Sequence, residues 1–351
     1  MYIKMFKRRQ RTVLINNYYQ KIRPRGIIAY VDDIEQYLES NGISYRTLKC
    51  PRFMESWRKQ GIWFHLFEQI YVPLVGFRYK IVIYPYNSAA VLAIFHSGSL
   101  LIVHDFIAYK RKLCGYSAPS AKAVRWTQRV YEISGRKVAY ITKDVERQAR
   151  YIKKFRNSTT YILPNTFLKF RQYAATTEPK VNAGGEFILL CTGKVPTKDL
   201  EGAIQLYLSS GIARGYKLLI LGASGADARV NSVGDQASET RDLIELLPII
   251  SSQKLIELYK CATAVWVHSV SEGFGRNIAE ALICRAKVIA SDISPFRKQA
   301  MRSRNVYLYR NGDQRNFDTV LSEVIRTSRF SEDYESNVSE ITQTFSELLA
   351  P

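Results

Sequence analysis

Apolar residues along this chain fall into short β-rich runs separated by longer stretches of mixed polarity. Thr12–Ile15, Ile43–Leu48, Lys80–Tyr84, Leu100–Val103, Val138–Ile141 and Tyr161–Leu163 carry the β-branched and aromatic enrichment expected of strands. Between several of them the pattern predicts helices, at Ile28–Glu39, Ala121–Ser134 and Asp144–Phe155. A polar stretch ending in Gly-Gly, residues 170–185, predicts a linker. The alternation then restarts with strands at Phe187–Cys191, Lys217–Leu221, Ala264–Val267 and Val288–Ala290, and helices at Asp199–Ser209, Gln253–Cys261 and Phe274–Cys284. Such βαβα order predicts parallel sheets covered by helices on both faces, twice over. The expected organisation is one Rossmann-like doubly wound domain over residues 1–169, the linker 170–185, and a second over 186–330. The segment 331–351 follows, with a polar helix at about Glu332–Leu349 expected to pack back toward the first domain.

Charge changes this picture. The 351 residues carry a formal net charge of +20, and all of the excess lies in the first half. Residues 1–170 hold 30 Lys plus Arg against 10 Asp plus Glu, whereas the remaining 181 hold 21 of each. That asymmetry points to a partner-facing surface: nucleic acid, an anionic membrane leaflet or a phosphate-bearing substrate. No nucleic-acid module or stacking pattern of aromatics accompanies the charge, so no nucleic-acid partner is expected. Ile81–Val103 is the nearest approach to a membrane span, but Pro85, Asn87, His96 and Gly98 interrupt it, and it divides into two strands with their loops. No secretory-type apolar stretch follows the basic Met1–Arg11, so the expected location is cytoplasmic. Five cysteines without a CxxC pair suggest neither a zinc site nor a disulfide framework. Trp57–Tyr71 mixes aromatic anchors with Arg58 and Lys59, and fits an interfacial membrane helix as well as a core helix. Tyr109–Leu113 and Lys143–Arg156 add positive surface suited to an anionic leaflet, at which the protein would sit peripherally.

Candidate chemistry concentrates in Val265–Leu282. A strand ends near Val267, a small-residue loop follows, and a helix starts near Phe274. Gly273 and Gly275 allow the backbone to approach a ligand, and the amides of the helix start form an anion site suited to a diphosphate. Glu272 before the helix and Glu280 within it would repel phosphate but accept hydrogen bonds from sugar hydroxyls. Two carboxylates flanking a phosphate turn would clamp the two ends of a nucleotide sugar.

The Glu-x7-Glu pattern of Glu272-Gly273-Phe274-Gly275 through Glu280-Ala281-Leu282 resembles the signature of retaining glycosyltransferase family 4. Other segments resemble that family in matching order: Gly193–Lys198 its phosphate loop, Leu219–Gly222 its second C-domain strand, Leu258-Tyr259 the helix before the signature, Pro164-Asn165 the crossover, and Val103-His104-Asp105 a strand end of the donor pocket. The resemblance implies a GT-B fold, two Rossmann-like domains facing across a cleft, and retaining transfer from a nucleotide sugar without a metal or other cofactor. It implies Glu280 on the ribose, Glu272 on the transferred sugar, Lys198 and Lys194 on the diphosphate, and His104 near the donor sugar. Gly193, Gly273, Phe274, Gly275, Arg276 and Asn277 complete the implied donor site, with Arg25, Gly26 and Asp105 as candidates on the acceptor side. The implied acceptor is a saccharide, with a lipid-linked saccharide preferred from the one-sided charge.

The chain also departs from that family. Beside that family its Gly193–Lys198 loop is one residue shorter, and the usual phosphate arginine is replaced by Lys194 or shifted; a lysine gives a point charge in place of a bidentate fork. Arg276 and Asn277 replace an apolar residue and a proline, and Arg285 replaces a glycine. The altered loop favours, as an alternative, an inactive relative acting as a glycan- or partner-binding scaffold; an epimerase or phosphorylase of the same fold is a third reading.

Overall fold

The computed structural model describes residues 12–20, 26–52, 55, 60–110, 118–152, 157–179, 186–193, 195–222, 243–335 and 337–350. These divide into two compact units. The first holds the described residues up to Tyr109, those from 118 to Lys169, and 337–350; the second holds Lys110 and those from Phe170 to Glu335.

In the first unit six strands form one parallel sheet: β1 (Val13–Asn16), β2 (Tyr45–Leu48), β3 (Ile81–Tyr84), β4 (Ser99–Val103), β5 (Lys137–Tyr140) and β6 (Thr160–Ile162). Their order is β2-β1-β3-β4-β5-β6. β1, β3 and β4 are buried along their whole length, as a sheet covered on both faces requires. Three helices of this unit are α1 (Gly26–Ser40), α2 (Gln60–Leu66) and α3 (Val72–Gly76), the last two joined by a π-turn, Phe67–Tyr71. A 3-10 turn follows at Val91–Phe95, and then α4 (Ala118–Ser134) and α5 (Lys143–Tyr151). Thr142 caps α5 by accepting from Val145 N at 3.2 Å.

The second unit takes in the described residues of the stretch expected as a linker, from Phe170 onward. Helix α6 (Leu168–Thr176) runs into that stretch, since Phe170 packs edge-on against the buried Tyr259 ring at 6.4 Å. Lys260 Nζ then donates to Ala174 O and Thr177 O, closing the helix end. The apolar contact and the lysine cap outweigh the polar composition that reads as linker. Residues 180–185 lie outside the described residues.

The second sheet is also all parallel, with order β12-β11-β10-β7-β8-β9. Its strands are β7 (Phe187–Cys191), β8 (Lys217–Leu221), β9 (Ile244–Leu247), β10 (Ala264–Val267), β11 (Val288–Ser291) and β12 (Val306–Tyr309). Its helices are α7 (Leu200–Ser209), α8 (Ser252–Cys261), α9 (Arg276–Ile283), α10 (Ser294–Ala300) and α11 (Gln314–Arg326). β9, β12, α10 and α11 were not expected from the pattern. Trp266 centres the core, 4.8 Å ring to ring from Phe317. Helix α12 (Val338–Leu349) belongs to the first unit, where Phe345 stacks on Tyr37 at 5.4 Å and Thr344 donates to Ile162 O at 2.6 Å. It starts later than Glu332, because Tyr334 is drawn into the second unit by Gln299, to which its hydroxyl donates at 2.9 Å.

Each sheet has a place where strand order reverses, between β1 and β3 in the first and between β7 and β10 in the second. Loops leaving the carboxyl ends of the strands diverge there and leave a crevice. The described ones among the predicted site residues of the second unit occupy the loops after β7 and β10 and the first part of α9.

Candidate functional site

Two loops build the site of the second unit. The first, after β7, ends in a 3-10 turn, Pro196–Lys198, and in Asp199, which takes a left-handed conformation (φ 38°) and caps α7 by accepting from Gly202 N at 3.3 Å. The second runs from His268 to Gly275. Thr197 O binds them together, accepting from Val270 N at 2.8 Å, with Ser269 Oγ at 2.7 Å. Ser269 Oγ also lies 3.2 Å from Glu272 Oε1, so its single proton serves one oxygen at a time.

This knitting brings Lys198 and Glu272 into an ion pair at 2.5 Å, with both side chains 18% exposed. They are thus shielded enough to interact strongly, yet reachable by a ligand. Helix α9 starts directly beyond. Gly275 takes φ 88°, and a Cβ there would lie 2.5 Å from the Phe296 ring. The left-handed residue stops the helix from starting at Phe274 as the sequence predicts and moves its first residue to Arg276. Gly273 is buried in the loop, and Phe274 and Asn277 are half-buried. Gly193 lies near Lys198, whose Cγ would be 3.9 Å from a Cβ placed on it.

Glu280 sits one turn into α9, buried. Arg276 Nε donates to its Oε1 at 3.3 Å, and Tyr259 OH donates to its Oε2 at 3.5 Å. Cys191, at the end of β7, completes this cluster with its Sγ 3.7 Å from Tyr259 OH. Burial pushes the thiol pKa up to about 12 and the Tyr259 phenol well above its ordinary value, so both remain protonated donors beside the carboxylate. Two cations and two carboxylates therefore alternate at the amino end of α9. That arrangement offers charge to a phosphate and acceptors to hydroxyls within one loop pair.

A support the sequence reading missed stands behind Asp199. Trp266 can only donate, and does so to Tyr309 OH at 3.0 Å. Tyr309 OH then donates to His268 Nδ1, which leaves Nε2–H for Asp199 Oδ2 at 3.3 Å. Burial lowers the His268 pKa, partly opposed by the Asp199 bond, and a neutral imidazole suits this tautomer. The relay fixes the residue next to Lys198. No spacing in the sequence announces it, because Trp266, His268 and Tyr309 come from two different strand ends.

In the first unit, His104 follows β4 and is buried. Its backbone N donates to Asn87 Oδ1 at 2.6 Å, its Nε2 bonds Pro85 O at 2.9 Å, and its ring meets Tyr30 edge-on at 4.9 Å. Asp105 accepts from Ile107 N at 2.9 Å, and Gly26 is the exposed first residue of α1. Arg25 and Lys194 lie outside the described residues. His104 and Asp105 thus share one strand end, while Lys198, Glu272, Arg276 and Glu280 share the loops of the second unit.

Residues 175–340 match the family model for glycosyl transferases group 1. The matched segment spans most of the C-terminal unit, which is thus similar to a glycosyltransferase domain of that group. The whole chain has the GT-B type of α/β fold, and solved structures share it. Anabaena HepE, in complex with UDP and glucose, superposes at a TM-score of 0.68 with 14% identity, over 96% of this chain and 99% of its own. Sucrose-phosphate synthase from Thermosynechococcus elongatus matches at 0.65 and 14% identity, over 90% of each chain. UDP-GlcNAc 2-epimerase from Methanocaldococcus jannaschii matches at 0.58 and 12% identity, over 96% of this chain and 98% of its own. A search of the curated proteins finds no match. Within the matched residues 175–340 lie both loops, α9 and every charged residue of the cluster. Among the described residues, no group of three or more His, Cys, Asp and Glu has the arrangement of a metal site, and no helix is long and apolar enough to cross a membrane.

Proposed function

We propose that the chain is a retaining glycosyltransferase that moves a sugar from a nucleotide donor onto a hydroxyl of a saccharide acceptor. The observation carrying this reading is the Lys198–Glu272 pair at the amino end of α9, inside the segment that matches the group 1 glycosyltransferase model. Lys198, with the first-turn amides of α9, binds the diphosphate and neutralises charge as it leaves, so it acts where charge develops in the transition state. Glu272 accepts from hydroxyls of the transferred sugar, and Glu280, held by Arg276 and Tyr259, accepts from the ribose. The bond from the anomeric carbon to the diphosphate oxygen breaks and its electron pair stays with that oxygen. The acceptor oxygen attacks from the same face, and its proton passes to the leaving phosphate. This scheme needs neither an enzymatic nucleophile nor a metal. We assign His104 of the first unit to the same reaction, and Asp105 and Gly26 to the acceptor side. The UDP and glucose of the HepE structure make uridine donors the first to try.

The acceptor we propose is a lipid-linked saccharide at the cytoplasmic face of a membrane, supported by the confinement of the excess positive charge to residues 1–170. The test is thermal stability against a panel of nucleoside diphosphates and sugar nucleotides, with Glu280→Ala alongside. A ligand at about 100 times its Kd adds about 2.7 kcal/mol. Stabilisation of the wild type, and much less of the variant, is the expected result. A panel with no stabilising member refutes donor binding and brings the scaffold alternative forward.

A further inference from the structure

One group of exposed apolar side chains of the first unit forms a row. Along α2, the π-turn and α3, the side chains of Ile62, Leu66, Ile70 and Leu74 recur every fourth residue, and all are exposed, Leu74 at 64%. Four residues of an α-helix overshoot one turn by about 40°, so such a row would wind around the helix. The wider π-turn advances less per residue and takes that drift back, which keeps the row on one side. Phe64, Phe67 and Val72 meanwhile point into the core. The 3-10 turn extends the patch. Gln69 donates from Nε2 to Ala89 O at 3.2 Å and accepts from Val91 N at 2.9 Å, which sets Leu92 and Phe95 (70% exposed) beside the row. So many large apolar groups in one place mark an interaction surface.

Charge selects the occupant. Between Gln60 and His104 the sequence has one carboxylate, Glu68, and it is fully buried, with Ser88 Oγ donating to it at 2.9 Å. The other ionic groups of that stretch apart from histidines are Arg78 and Lys80, both exposed. Arg136 and Lys137 lie close enough to His96, in the same region, to help lower its pKa behind the larger effect of burial. A second copy of the chain would bring a like-charged rim against this one, whereas an anionic lipid surface complements both features. We propose that this face is a membrane wedge, its apolar row lying at the acyl boundary of an anionic leaflet and its cations at the headgroups. The inference rests on the lipid-linked acceptor proposed above and names the element that would meet the bilayer.

The experiment is co-sedimentation with phosphatidylcholine vesicles, with and without about one-third phosphatidylglycerol, at low salt. The wild type is compared with Ile70→Asp/Leu74→Asp and with Arg78→Glu. The wild type should bind anionic vesicles at least tenfold more tightly than neutral ones. The double variant should lose that binding, and Arg78→Glu should weaken it severalfold. All three should unfold at similar temperatures and keep any nucleotide-induced rise, since these side chains lie on the surface. Equal vesicle binding by wild type and double variant overturns the proposal. So does a concentration-dependent dimer that the aspartates dissolve without any vesicle binding, which would make the patch a self-association face. Loss of nucleotide stabilisation in the wild type counts against the transferase reading, whereas failure of vesicle binding alone counts against the wedge.

Discussion

Opposite effects on nucleoside diphosphate affinity are expected from the two members of the Lys198–Glu272 pair. Lys198→Met removes a cation 2.5 Å from its carboxylate in a setting 18% exposed. Two unit charges 4 Å apart at an effective dielectric of about 20 interact by about 4 kcal/mol. Part of that charge is already committed to Glu272 before ligand arrives, so about half should appear as lost affinity. The expected effect is a loss of about 2 kcal/mol, roughly thirtyfold in Kd. Glu272→Gln does the reverse. It releases Lys198 and removes a like charge beside the phosphates, which at about 7 Å and a dielectric of about 40 repels by about 1 kcal/mol. Nucleoside diphosphate should therefore bind about fivefold more tightly to Glu272→Gln, while turnover of the sugar nucleotide falls. Isothermal titration with UDP and the other diphosphates, at low and moderate salt, measures both changes. If the pair only held the loops together, both substitutions would weaken binding through the same disorder. Weakened diphosphate binding by Glu272→Gln would refute the assignment of Lys198 to the phosphates.

Further substitutions probe the scaffold. Gly275→Ala combines a left-handed φ with a Cβ 2.5 Å from the Phe296 ring, and should cost about 2–4 kcal/mol in urea unfolding. Arg285 occupies a left-handed position (φ 56°), and its side chain pairs with Asp333 where both are exposed, so Arg285→Gly should stabilise by about 0.5–1 kcal/mol in the same assay. Burial raises the Glu68 carboxyl from near 4.5 to about 8, although Ser88 lowers it in part. The folded state then holds a proton that the unfolded state releases, so this group's stabilisation is complete below about pH 4.5 and is lost as pH rises toward 8. Compared with Glu68→Gln, the wild type should lose a few kcal/mol more between pH 5 and pH 8 in pH-dependent unfolding; parallel curves would contradict this.

The repeated βα pattern was legible because parallel strands buried on both faces leave uninterrupted apolar runs, as at Ile81–Tyr84 and Leu100–Val103. Ile244–Leu247 and Val306–Tyr309 escaped because edge strands need less apolar burial, and each includes partly buried or exposed positions. The Glu272–Glu280 spacing could be seen directly, since seven intervening residues span a loop end and about one turn of one helix. What those carboxylates touch could not be seen. Lys198 and Glu272 lie 74 positions apart in the chain, and they meet because β7 and β10 are neighbours in the second sheet. The same holds for Tyr259 on Glu280 and for the Trp266–Tyr309–His268–Asp199 relay.

By itself, the sequence determined the class of fold, the position of the glycine turn before α9 and the one-sided charge, because periodicity, glycines and ionic residues act locally or by simple summation. Only the tertiary structure decided how the charges pair, that Glu68 is hidden while Ile62, Leu66, Ile70 and Leu74 face outward, and that the C-terminal helix starts at Val338. Burial and partner choice depend on which strands become neighbours, and strand order is a property of the whole sheet.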